Sequence, residues 1–143
     1  MKIFICCSKH FYNKIPDIKR ELEQFGHVVT LPNSYDNPLR EEEIKEIGSQ
    51  EHALWKANMI KQQDAKVRSN DAILVLNFEK NGIQNYIGGA TFLEMFRAFD
   101  LGKSIFLYYP IPDGMLRDEI LAFRPTVITG DLSLVKDTVY DRS

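Results

Sequence analysis

Residues 85–106 read NYIGGATFLEMFRAFDLGKSIF, and the fold turns on how they are divided. Paired glycines, Gly88 and Gly89, lead into a run whose apolar residues return at helical spacing. Gly102 ends that run as a C-terminal cap. The next run, KSIFLYYP, has the length and aromatic content of a strand. Upstream, DAILVLNF (71–78) is apolar at nearly every position, as in a strand covered on both faces. Between that strand and the helix lies EKNGIQNYIGG, dense in turn formers. Strand, loop, helix and strand in this order make a βαβ unit.

The same alternation continues in both directions. KIFICC (2–7) is a first strand. NKIPDIKRELEQFG (13–26) places Ile15, Ile18, Leu22 and Phe25 at helical spacing, with Gly26 as its stop. HVVTLP (27–32) is a second strand closed by Pro32. NSYDNPLREEEIKEIGSQ is a punctuated loop with a short acidic helix near 39–47. Its Glu41, Glu42 and Glu43 suit solvated positions at a helix start. EHALWKANMIKQQDAKVRSN (51–70) is a long helix anchored by Leu54, Met59, Ile60 and Val67, with Trp55 assigned to a helix–sheet or subunit contact. LRDEILAF is a short helix, TVITG a fifth strand, and the tail adds one weak turn.

Strands separated by helix-length segments predict one α/β domain spanning 1–143. The expected form is a flavodoxin/Rossmann-like three-layer sandwich around a five-stranded parallel sheet, order 2-1-3-4-5. In that order the switch point falls between strands 1 and 3, and ligands bind beyond their carboxyl ends. The segments there are SKHFY after strand 1 and EKNGIQNYIGGATFLE after strand 3, with YYPIPDG after strand 4.

Composition narrows the function. The net charge of -2 gives no basic surplus for nucleic acid or an anionic membrane. The longest apolar runs are strand-sized, far short of a bilayer span. The N-terminus reads as a strand rather than a targeting segment, so a cytoplasmic protein is expected. Cys6 and Cys7 are strand neighbours pointing to opposite faces and are expected to be free. His10, His27 and His52 lack metal-ligand spacing, so no metal is expected, and nothing asks for a cofactor.

One carboxylate, Glu94, interrupts the apolar helix, and two readings of it stand. TFLE matches the capping box, with Thr91 as cap and Glu94 bonding back to its N–H; a pair with Arg97 one turn on would add to this. Alternatively, a first-turn glutamate beside the helix dipole is held ionised, at the floor of a cleft, where it can attack an electrophilic sugar carbon. Gly88 and Gly89 would then let backbone approach a ligand, and N–H groups at the helix start could hold an anion.

The stretch GGATFLEMFRAFDLGKSIFLYYP resembles the signature of the nucleoside 2-deoxyribosyltransferase superfamily, which includes 2'-deoxynucleoside 5'-monophosphate N-hydrolases. The matching parts are Gly89, Glu94, Ala98, Gly102, Lys103 and the strand from Ile105. SNDAILVLNF and FICCS resemble the family's preceding strand and its first strand. The match is close over about residues 70–110 and otherwise follows the order of elements.

The resemblance implies that Glu94 is a nucleophile attacking C1' of a deoxyribose, releasing the base and leaving a glycosyl ester that water or a second base resolves. It puts Ser8 on a ligand-contacting position. Lys9 can join Ser8 in holding an anion, and Tyr12 or Tyr86 can orient Glu94 through a hydroxyl. Asn85 can read a base or sugar hydroxyl. The family aspartate that handles the leaving base falls, by spacing, on Gln63; Asp64, one residue away, is the candidate. The family's phosphate-binding members carry a glycine-rich loop after strand 1, whereas this chain has CCSKHFYNK, without glycine. The resemblance also implies a homo-oligomer, a dimer or larger, acting on a small nucleoside or nucleotide. The alternative is a non-catalytic nucleotide or nucleotide-sugar binding module on the same fold.

Overall fold

The computed structural model describes residues 1–137. Five strands form one parallel sheet: β1 (Lys2–Cys6), β2 (Val28–Thr30), β3 (Ala72–Val75), β4 (Ser104–Leu107) and β5 (Thr126–Val127). Their spatial order is β2-β1-β3-β4-β5, as the alternation of strand and helix predicted. The register sets Ile3 beside Ala72, Ala72 beside Ser104, and Phe106 beside Thr126. The order reverses between β1 and β3, so a crevice opens beyond their carboxyl ends.

Side chains alternate across the sheet and so build two cores. Ile3, Ile5, Leu74 and Phe106 face α1 (Ile15–Gln24), meeting Ile15, Ile18 and Leu22. Phe4, Cys6, Ile73, Val75, Ile105 and Leu107 face the other layer. That layer holds α3 (Ser49–Arg68), α4 (Gly89–Asp100) and α5 (Arg117–Phe123), which contribute Val67, Met95, Ala98 and Ile120. Every residue of β3 is buried, as its unbroken apolar run required.

The punctuation behaves as read. Gly26 and Gly102 adopt left-handed φ values of 89° and 70° and end α1 and α4. The acidic helix is α2 (Arg40–Ile47). Asp71 accepts from the Lys2 N–H at 2.7 Å and ties β3 to β1. The tail turn is the 3-10 segment Leu132–Leu134; the part of the tail at 138–143 lies outside the described residues.

The long helix departs from expectation. Of its four proposed anchors only Val67 is buried; Leu54 is 69% exposed and Ile60 38%. The buried residues of α3 are Gln63 and Val67. The cause is geometric: α3 meets the core through its last turns, and its remaining inward stripe stands over the crevice instead of the sheet.

Candidate functional site

A cleft of about 300 Å³ occupies the crevice. It is at the small end of the range of ligand pockets, about 300–1,000 Å³. Three connections and one helix wall it. After β1 come Cys7, Ser8, Lys9 and Tyr12; after β2 come Asn33 and Glu41; after β3 come Tyr86, Gly88, Gly89, Thr91 and Glu94. The α3 wall adds Trp55, Met59 and Gln63, together with Lys56.

The start of α4 sets the position of Glu94, and it overturns the capping reading. The N-cap is Gly88, with no side-chain cap, and the helix begins at Gly89. Thr91 therefore lies inside the first turn, buried at 3% exposure, and Glu94 lies in the second turn on the same inward stripe as Thr91, Met95 and Ala98. Once the glycine pair begins the helix, the T-x-x-E pattern falls too late for a capping box. The pair with Arg97 is also absent, because Arg97 bonds Asp64 and Asp100 on the outer face.

Burial controls the Glu94 carboxyl. The side chain is 7% exposed, between the cleft and the Cys6 end of β1. Loss of solvent pushes its pKa from 4.5 up to about 8, against the opposing pull of the Cys6 thiol hydrogen bond and of Lys66 and Lys56. The expected dipole-held carboxylate is thus replaced by a group that is mostly protonated at neutral pH. The field acts back on its neighbours. Cys6 is raised by burial and then by Glu94, and Cys7 is pushed up to about 12 by the same two causes. Tyr12 is raised by burial and by Cys7, Glu94 and Glu41, so its phenol feels both cleft carboxyls. Lys66 is lowered by burial; its ammonium donates to the Leu31 carbonyl at 2.7 Å and lies 5.8 Å over the Phe4 ring.

Ser8, Lys9, Tyr12, Tyr86, Gly88, Gly89, Thr91 and Glu94 therefore share one cleft. Ser8 caps the 3-10 segment Lys9–Lys14, its hydroxyl accepting from the His10 N–H at 3.3 Å. That segment replaces a glycine loop and buries Phe11. Lys9 is bound to Glu42 and lies 4.0 Å from Glu41. Gly88 has an ordinary φ of −84°, but a Cβ there would meet the Tyr86 hydroxyl at 3.2 Å; its glycine is explained by the close tyrosine ring, which would have to give by a few tenths of an ångström, and not by a turn.

Two candidates fall outside the cleft lining. Asp64 faces the α4 side of α3, where its carboxylate bonds Arg68 at 2.9 Å and also pairs with Arg97; the Arg68 hydrogen bond leads in lowering its pKa. One residue along a helix turns a side chain by about 100°, so Gln63 takes the cleft-facing position instead. Asn85 holds a left-handed φ of 56° and serves the turn.

The sequence reading missed most of the α3 wall. Trp55, Met59 and Gln63 recur every four residues, which places them on one helical stripe. Their spacing was visible, but a mixed aromatic, thioether and amide stripe carries no amphipathic signal. Glu41 was also misplaced as solvated. Its side chain is only 19% exposed, bonded to His52 at 2.9 Å with Lys56 at 3.5 Å, while Glu42 and Glu43 remain exposed. His52 in turn stacks on Trp55 at 6.2 Å. These partners hold Glu41 ionised: the His52 hydrogen bond and the lysines outweigh burial, its largest single influence, and lower its pKa. The cleft thus carries two carboxyl groups of opposite tendency, one held protonated by burial and one held charged by cations.

Among the described residues no group of three or more His, Cys, Asp or Glu is placed to hold a metal ion. No helix among them is long and apolar enough to cross a membrane. No protein-family model matches the chain, and no curated protein does.

Proposed function

We propose that the protein is a nucleoside or nucleotide N-glycosidase or 2-deoxyribosyltransferase with Glu94 as its nucleophile. The observation that carries this reading is a nearly buried carboxyl opening onto a small cleft at the sheet's switch point. Its proton affinity supports the role, because a carboxylate of raised basicity is a stronger nucleophile once ionised. In the first step a Glu94 oxygen bonds to C1' while the C1'–N bond breaks. The base leaves with that electron pair and takes up a proton. In the second step water or another base attacks C1', and the ester's C1'–O pair returns to Glu94. Water loses a proton in that step and the net result is hydrolysis; a second base gives transfer.

A second reading rests on the same burial. Held protonated at neutral pH, Glu94 can donate a hydrogen bond to a ligand without reacting, as a binding module would require. Two wider expectations join the proposal. A homo-oligomer is supported by Leu93, Phe96 and Phe99, each nearly half exposed on the outer face of α4. A cytoplasmic location remains part of the proposal.

The test is incubation with pooled 2'-deoxyribonucleosides and their 5'-monophosphates, with and without a second free base. Chromatography follows free and exchanged bases for wild type and Glu94→Gln. Release or exchange by wild type alone supports glycosyl chemistry. Saturable binding with no release moves the assignment to the binding module.

A further inference from the structure

The cleft is lined by two carboxamides, and both are committed in the same way. The Gln63 amide donates to the Ala90 carbonyl at 3.1 Å, and the Asn33 amide donates to the Met59 carbonyl at 3.2 Å. A backbone carbonyl only accepts, so these bonds fix which end of each amide is nitrogen. Each side chain is left presenting its oxygen as an acceptor, and among the described residues neither oxygen has a protein partner. Gln63 is 8% exposed and lies beside Glu94; Asn33 is half-buried, farther along the wall.

The surface between them suits a flat heterocycle. Gln63, Met59 and Trp55 step along α3 at four-residue intervals, spanning about 12 Å from first to last. A thioether and an indole both favour contact with an aromatic face. Trp55 is fixed at the outer end, against His52. Asn33 lines the same cleft and is tethered through its amide nitrogen to the Met59 carbonyl, which leaves its oxygen free beside the stripe, within reach of the edge of a ring laid along it. The outermost atom on the edge of a base is its exocyclic group. That group is a donor in adenine and cytosine and an acceptor in their keto counterparts. An acceptor locked at that edge pairs with an amino group and repels a carbonyl.

We propose that the Asn33–Trp55 wall is a base subsite, and that the Asn33 oxygen selects bases carrying an exocyclic amino group. The inference rests on the nucleoside reading of the cleft given above, and it names the base class that reading leaves open.

Trp55 is the only tryptophan in the chain, so its fluorescence reports the subsite directly. The experiment titrates the Glu94→Gln protein, in which turnover is blocked, with 2'-deoxyadenosine against 2'-deoxyinosine and 2'-deoxycytidine against 2'-deoxyuridine. We expect saturable quenching, with the amino member of each pair bound about tenfold more tightly. Adding Asn33→Ala should reduce that ratio to about twofold or less while quenching persists. Circular dichroism of each variant confirms that it is folded. Equal affinities within each pair, a preference that survives Asn33→Ala, or no quenching by any of the four would overturn the proposal. The two readings fail separately. Base release by wild type without amino preference removes this inference and leaves the enzyme. Amino-selective quenching without base release supports the subsite and removes the enzyme.

Discussion

Replacing Glu94 with glutamine should make the fold more resistant to alkali, by an amount the structure sets. An unfolded glutamate titrates near 4.5, and burial moves the folded group to about 8. Between those values the folded protein keeps a proton that the unfolded chain has released, so raising the pH favours unfolding. The contribution of Glu94 to stability is therefore greatest below pH 4.5 and is lost progressively up to about pH 8. At about 1.4 kcal/mol per pH unit, the interval integrates to about 5 kcal/mol. Glutamine is similar in shape and never ionises, so the variant escapes this loss. The assay is urea unfolding of both proteins at intervals from pH 4.5 to 9. Groups common to both proteins cancel in the difference. With a urea slope of about 2 kcal/mol per molar, the variant's midpoint should gain on wild type by about 2 M across that range. Parallel midpoints at every pH would refute the argument that Glu94 is an ionisable group held against its solvation.

Other expectations follow from the same geometry. If Glu94 attacks as the anion, kcat/KM should rise about tenfold per pH unit below pH 8 and level off above it; a falling limb in that range would assign it as a proton donor instead. Lys66→Met removes a cation that favours the Glu94 carboxylate, so the same limb should move to higher pH, read from rate profiles of the two proteins. Gly88→Ala should displace the Tyr86 ring and lower turnover, whereas Gly89→Ala, where a Cβ meets no protein atom within 4 Å, should stabilise the helix start by about 0.5 kcal/mol in a melting experiment. Asp64→Asn should leave turnover within about twofold, since its ion pairs with Arg68 and Arg97 lie on the α4 side of α3, outside the cleft lining; a large loss of turnover would return Asp64 to the cleft.

The fold was legible because its signals are local and redundant. The run AILV needs cover on both faces, Gly26 and Gly102 take conformations that favour glycine, and helix-length spacers force parallel crossovers. The shell around Glu94 was legible in part. Its loops follow the carboxyl ends of β1 and β3, and topology alone brings Ser8, Tyr12 and Glu94 together. Two things were not legible. Where a helix begins depends on tertiary packing, so TFLE passed for a cap when Gly88 held that position. The α3 wall was hidden because Trp55, Met59 and Gln63 mix an aromatic, a thioether and an amide, and a stripe over an open crevice does not carry the apolar period that marks a core-facing helix. Leu54 and Ile60, by contrast, looked like anchors and are exposed.

The bond from Gln63 to the Ala90 carbonyl joins two helices that contribute different things to the cleft. Glu94 belongs to α4; the long wall of side chains facing it belongs to α3. Substitutions at Met59 and Trp55 change that wall about one and two turns away from the strut and leave the backbone carrying Glu94 untouched. In evolutionary terms the fold is modular at this joint: one helix can drift in what it admits while the other keeps its chemistry. Position 63 is where that freedom ends, because a change there alters the wall and loosens the first turn of α4 together.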